Sequence, residues 1–127
     1  MLETTAKDVK ILILEDEPFL ALDMELVFRS AGYTVVGPAS SVAEAEHLIE
    51  AENPDLASLD YNLKGETSAP VARLLAGKGK GFVFVTGRPL DLLLDDGVPA
   101  APTLSKPISP QMVLSTLTAN LSPLHPA

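Results

Sequence analysis

The chain has 127 residues, the length of one domain with room for a substantial core, and 46% of them are hydrophobic, which excludes a disordered segment. Its formal charge of −8 argues against docking on nucleic acid or anionic lipid, since both need a basic face. With no cysteine, disulfides, thiolate metal sites and thiol nucleophiles are all excluded.

Met1–Lys10 is charged and polar, unlike a secretory signal, and no apolar run approaches the ~18 residues of a membrane span. The expected compartment is the cytoplasm, with no membrane insertion. Val9 to Leu14, apolar apart from Lys10, is long enough for a buried strand and too short for a helix. After Pro18, which suits a first helical turn, Leu20, Met24, Val27, Phe28 and Ala31 recur at helical spacing up to a stop at Gly32. Thr34 to Gly37 is a second short strand. Ser41 with Glu44 reads as a capping box, opening a helix with Val42, Ala45, Leu48 and Ile49 inward that ends near Asn53-Pro54.

Asp55 to Asp60 is the third strand, followed by a turn through Asn62, Lys64 and Gly65 and a helix over Ser68 to Ala76. Gly77-Lys78-Gly79-Lys80-Gly81 lacks the spacing and terminal hydroxyl of a P-loop and reads as a flexible connection. Phe82 to Thr86 is the fourth strand. Arg88 to Pro99, squeezed between prolines and Gly97, holds two or three helical turns at most. Ala101 to Leu104 is a short fifth strand. Ser109-Pro110 starts a last helix with Val113, Leu114, Leu117 and Leu121 inward, and the tail after Ser122 is expected to fray. Met24 and Met112 read as core filler, while His47 and His125 have no partners at ligand spacing and read as surface residues.

Strand and helix alternate five times, which calls for an α/β fold: a doubly wound parallel sheet with helices on both faces and right-handed crossovers. Ligands of such sheets bind at the carboxyl ends of the strands. That edge would gather Glu15-Asp16-Glu17, Asp60, Thr86 and Lys106. Mg2+ takes oxygen ligands, usually one or two carboxylates with waters and phosphate oxygens. Asp16 and Asp60 can supply carboxylates, Glu15 can hold an ion-bound water, and the Asn62 main-chain carbonyl can add a ligand. Asp60 can attack a phosphoryl donor, with Thr86 and Lys106 meeting the charge on the transferring group. Taken singly, Asp16 or Glu17 could cap the first helix, Asp60 could form a turn, Thr86 could be structural and Lys106 a loop residue. None of those readings places all of them, in this order, at the ends of successive strands.

These residues resemble the receiver domain of two-component response regulators, over essentially the whole chain. Ile11 to Glu17 is similar to the acidic-pair motif, and Asp60 in Ser-Leu-Asp-Tyr-Asn-Leu to the phosphorylated aspartate. Thr86 matches the switch residue, and Lys106-Pro107 the lysine before a proline, a peptide bond that is cis in the family. The resemblance implies a flavodoxin-like (βα)5 fold with strand order 2-1-3-4-5. It implies a sensor histidine kinase or phosphotransfer protein as donor, Mg2+ as cofactor, and slow self-hydrolysis influenced by Asn62 and Arg88. It also implies a phosphoryl acceptor and not an enzyme. The tyrosine or phenylalanine that reports phosphorylation, three residues before the lysine, is replaced by Thr103. Phe82-Val-Phe-Val-Thr-Gly, Asn62-Leu-Lys-Gly-Glu and Gly97-Val-Pro resemble an atypical alphaproteobacterial subfamily, with a Phe-Ala-Thr-Gly signature, of stand-alone receivers paired with kinases of the HWE type. In that setting phosphorylation is expected to order the Arg88 to Pro99 segment through Thr86.

The expectation is therefore one receiver domain over 1–127, core at about 9–121, with no output domain, signalling to an unidentified downstream protein. A phosphate sink for a shared kinase is the alternative. An Mg2+-dependent aspartyl-phosphate phosphatase is a rival, though such enzymes place an Asp-x-Asp pair after the first strand. A receiver that binds partners without phosphorylation is another.

Overall fold

The structure, a computed structural model, describes residues 8–121. Numbering only the strands of the main sheet, the elements are β1 (Lys10–Leu14), α1 (Pro18–Ser30), β2 (Thr34–Ala39), α2 (Val42–Glu52) and β3 (Leu56–Asp60). They continue with α3 (Ala69–Gly77), β4 (Gly81–Thr86), α4 (Pro89–Leu93), β5 (Thr103–Ser105) and α5 (Pro110–Leu121). A two-residue hairpin, Asn62–Leu63 against Glu66–Thr67, joins β3 to α3.

The five strands are parallel and lie in the order β2-β1-β3-β4-β5, the expected doubly wound topology. Strand residues alternate between faces, so β1, β3 and β4 each feed two apolar layers. Ile11, Ile13, Leu56, Val83 and Val85 pack with Met24 and Phe28 of α1 and Val113 and Leu117 of α5. Leu12, Leu14, Ala57, Leu59, Phe82 and Phe84 pack on the other side with Ala45 and Ile49 of α2 and Val71, Ala72 and Leu75 of α3. Both faces are covered, which is why these strands read as continuous apolar runs.

Local chemistry sets the element ends. Ser41 Oγ accepts the Glu44 N–H at 3.2 Å, but the Glu44 carboxylate takes the N–H of Ser40, one residue earlier than a reciprocal box would. Asn53 closes α2 in the left-handed region at φ 49. β2 runs past the expected stop at Gly37 to Ala39, through a cis Gly37–Pro38 bond. Proline is tolerated there because β2 is an edge strand. Gly37 has φ 91, and a Cβ on it would sit 2.7 Å from the Ala39 nitrogen.

Two expectations need correction, the start of β5 and the burial of Met112. β5 starts at Thr103, not Ala101, because Pro102 has no N–H to give the sheet; its carbonyl alone bonds, to Phe84 N at 2.9 Å. α4 stays within the expected limit of two or three turns, with five residues between Arg88 and Leu94. Met112 is half exposed on the outer side of α5, whereas Met24 is buried. His47 is on the surface; His125, the tail after Ser122 and the side chain of Leu121 lie outside the described residues. Among the described residues no helix is long and apolar enough to cross a membrane.

Candidate functional site

The carboxyl ends of β1, β3, β4 and β5 bring Glu15, Asp16, Asp60, Thr86 and Lys106 to one edge. β1 ends by turning sharply, with Glu15 N bonded to Ala39 O of β2, so three consecutive acids follow the buried strand. Glu15 is buried; its Oε2 accepts the Glu17 N–H and the Lys106 ammonium, each at 3.1 Å. Its Oε1 is also buried and has no hydrogen-bond partner. Asp16 Oδ2 accepts the Lys64 N–H at 2.9 Å, which ties the acidic turn to the hairpin after β3. Lys106 is positioned by its own N–H, bonded to Thr86 O at 2.8 Å, and its peptide bond to Pro107 is cis.

Lys106 Nζ is shared by three carboxylates: Glu17 at 2.5 Å, Glu15 at 3.1 Å and Asp60 at 3.3 Å. Burial draws the Lys106 pKa down, but the Glu17 and Glu15 carboxylates outweigh it and raise the group above its ordinary value. Burial, with Glu15 alongside, pushes the Asp60 carboxyl up to about 8, against the opposing pull of Lys106. One ammonium thus faces more carboxylate charge than it can neutralise.

A cation fits that deficit. Glu15, Asp16 and Asp60 each offer an oxygen, all within 4.8 Å of one another, and Glu15 Oε1 is a buried acceptor without a donor. An all-oxygen set of this kind suits a hard ion such as Mg2+.

Thr86 is fully buried, and its hydroxyl donates to Asn62 Oδ1 at 3.2 Å while accepting the Arg88 N–H at 2.9 Å. Asn62 Nδ2 in turn donates to Asp91 Oδ2 of α4 at 3.2 Å. Arg88 points outward, three-quarters exposed, and pairs with Asp91 at 3.0 Å. Thr103 is exposed on β5 and bonds the carbonyl of Ala101. The site residues expected from the sequence therefore divide: the carboxylates and Lys106 converge, Thr86 and Asn62 adjoin them, and Arg88 and Thr103 lie outside. The segment that phosphorylation was expected to order is already helical over Pro89–Leu93.

Sequence reasoning treated Glu17 as a possible cap. It occupies the N-cap position of α1 without a side-chain cap bond, because its carboxylate goes to Lys106. Tyr61 lies outside the expected site residues, yet its buried ring stands edge-on to Phe84 and its hydroxyl donates to Asp95 Oδ2 at 2.5 Å. Burial and that bond push the Tyr61 phenol up to about 12. Its place directly after Asp60 was a visible signal; its partner, 34 residues on, was not.

No family model matches the chain. The phyllosphere-induced regulator PhyR of Methylorubrum extorquens is 30% identical over 115 residues, 88% of this chain and 43% of that protein. The solution structure of SdrG from Sphingomonas melonis is 39% identical, with a TM-score of 0.73, covering 89% of this chain and 96% of that one. The PhyR response-regulator receiver domain of Erythrobacter litoralis superposes with a TM-score of 0.79 at 25% identity, covering 94% and 93%. The chain belongs to the response-regulator receiver domains. It spans at most half the length of the curated relatives it matches.

Proposed function

We propose that this chain is a response-regulator receiver that accepts a phosphoryl group on Asp60 and signals by protein contact. The observation that carries the reading is the convergence of Lys106 on Asp60 and Glu15 beside three carboxylate oxygens able to share one cation. An Asp60 oxygen forms the new bond to phosphorus. The bond from phosphorus to the donor, a histidine nitrogen, breaks, and its electron pair stays on that nitrogen. Lys106 offers its ammonium to the phosphoryl oxygens, and Thr86 offers its hydroxyl. Glu15, Asp16 and Asp60, with the Asn62 main-chain carbonyl, would hold Mg2+, which supplies positive charge to the carboxylates and to the transferring group.

The donor is a sensor histidine kinase, of the HWE type by the Phe82 to Gly87 signature, or a phosphotransfer protein. This chain's similarity to the response regulator PhyR supports a place in a phosphorelay. Self-hydrolysis is slow and influenced by Asn62 and Arg88, which makes the chain an acceptor and not a turnover enzyme. Output passes through Arg88 to Pro99, β5 and α5. Incubation with acetyl phosphate and Mg2+, read on a phosphate-retarding gel, should give a shifted band that Asp60→Asn abolishes. A band that persists in Asp60→Asn would overturn the assignment.

A further inference from the structure

We propose that Tyr61 and Asn62 form a two-point latch holding the Arg88–Asp95 segment against the site, opened when a phosphoryl group on Asp60 takes the Thr86 hydrogen bond away from Asn62. The opening step rests on the reading of Asp60 as phosphoacceptor; the latch itself does not.

The segment has little apolar attachment. Leu92 is the one buried side chain of α4, while Leu90, Leu93 and Leu94 are 63%, 78% and 73% exposed. A five-residue helix is too short to persist on its own backbone bonds, so its place depends on what ties it down. Two bonds do so from the same side. Asp91 Oδ2 accepts Asn62 Nδ2, and Asp95 Oδ2 accepts the Tyr61 hydroxyl. Asp91 lies within α4 and Asp95 two residues past its end, so the two bonds hold the helix and its exit. Both donors come from the two residues that follow Asp60. Tyr61 is a fixed post, because its ring is 3% exposed and wedged edge-on to Phe84 at 6.0 Å. A further bond, Arg73 Nη1 to Gly97 O at 2.9 Å, holds the loop beyond.

Thr86 links the latch to the phosphoryl site. A hydroxyl has one proton, and in this state it goes to Asn62 Oδ1. The same oxygen accepts the N–H of Arg88, the first residue of the segment. A phosphoryl group carries nearly two negative charges and three strong acceptor oxygens, and a charged acceptor outcompetes a neutral amide oxygen. A Thr86 hydroxyl drawn to it gives up Asn62 and pulls away from Arg88 N. One anchor then loses its support as the base of the segment shifts. Behind α4 lies a groove of about 500 Å3 walled by Phe84, Leu92, Val98 and Thr103, so a released segment bares an apolar surface already formed. Phosphorylation on this account loosens the segment.

Amide hydrogen exchange of peptides covering 88–95 tests both parts. Without a phosphodonor, Tyr61→Phe keeps the ring and Asp95→Ala lies on the half-exposed side of the bond; each should speed exchange about tenfold, the effect of losing one charged hydrogen bond. The double variant should match Asp95→Ala alone, which removes the Tyr61 contact and also the acceptor of the Gly97 N–H at 3.0 Å. Wild-type protein phosphorylated with acetyl phosphate and Mg2+ should speed up comparably. Equal protection in Tyr61→Phe and wild type overturns the latch. Phosphorylated wild type that keeps or gains protection overturns its opening. Failure of wild type to take label overturns the Asp60 reading and the opening step together, and the comparison made without phosphodonor still decides the latch.

Discussion

Asp60→Asn should stabilise the metal-free protein, and the gain should depend on pH. The Asp60 carboxyl is pushed from an ordinary 3.8 up to about 8, by burial first and by Glu15 second. Between those values the folded chain holds a proton that the unfolded chain has released, so stability must fall as pH rises from about 4 to 8. Each pH unit is worth about 1.4 kcal/mol at the limit, or about 4 kcal/mol by pH 7; screening by Lys106 and by water at the mouth of the site reduces this to about 1–2 kcal/mol. Asparagine keeps the shape and removes the charge. Thermal unfolding followed by circular dichroism in EDTA, from pH 5 to 8, should show the wild type losing stability and the variant nearly level. At pH 7.5 the variant should melt about 4–8 °C higher. Mg2+ should reverse the order: at a hundred times its dissociation constant it stabilises by about 2.7 kcal/mol, and Asp60→Asn, short of one carboxylate ligand, should gain less. Equal pH slopes in EDTA, or a variant less stable than wild type at pH 7.5, would refute the argument that the Asp60 charge is held at a cost.

Lys106→Ala strips the shared cation from Glu15, Glu17 and Asp60 and should cost about 3 kcal/mol in urea denaturation at pH 7.5 without metal, with Mg2+ restoring part of it. Ser41→Ala removes the acceptor of the Glu44 N–H and should lower stability by about 1 kcal/mol in the same assay. Phe28→Ala empties a fully buried position between α1 and the sheet and should cost about 3–5 kcal/mol. Gly37→Ala forces a Cβ against the Ala39 nitrogen at positive φ, and a melting temperature equal to wild type would show that β2 can relax there. The strain alone is worth about 1–3 kcal/mol.

Strand positions were legible wherever a run such as Ile11–Leu14 or Phe82–Val85 is buried on both faces, because burial demands apolar residues whichever way each points. The convergence of Glu15, Asp60 and Lys106 was legible for a related reason: each polar residue ends such a run, and parallel strands end on one edge. β5 was misplaced because Ala101 and Pro102 look like strand residues, yet Pro102 cannot donate to the ladder. Met112 follows the apolar character of α5 without facing the sheet. What no local pattern could show was hydrogen-bond direction. Thr86 at a strand end announces a hydroxyl near the site, but not that its proton goes to Asn62. Tyr61 and Asp95 meet because the chain after α4 returns to the residue that follows β3, a tertiary contact with no periodic trace.

The distinction between charge and direction bears on how a receiver without an aromatic at position 103 can switch. Lys106 already sits within 3.3 Å of Asp60, held by Glu15 and Glu17, so its ammonium has only a short way to travel when a phosphoryl group arrives. Thr86 differs in being neutral and in having its single proton committed elsewhere. Moving that proton costs one modest hydrogen bond, about 1 kcal/mol, and gains a charge-assisted one roughly twice as strong. The difference is small, so it can shift a segment only if that segment is held by little. The segment meets the condition, with a single buried leucine in α4 and with Asp91 and Asp95 on side-chain donors. An aromatic wedged at position 103 would add apolar contacts to the groove behind α4 and raise the threshold for release. Its replacement by threonine keeps the threshold within reach of one hydroxyl.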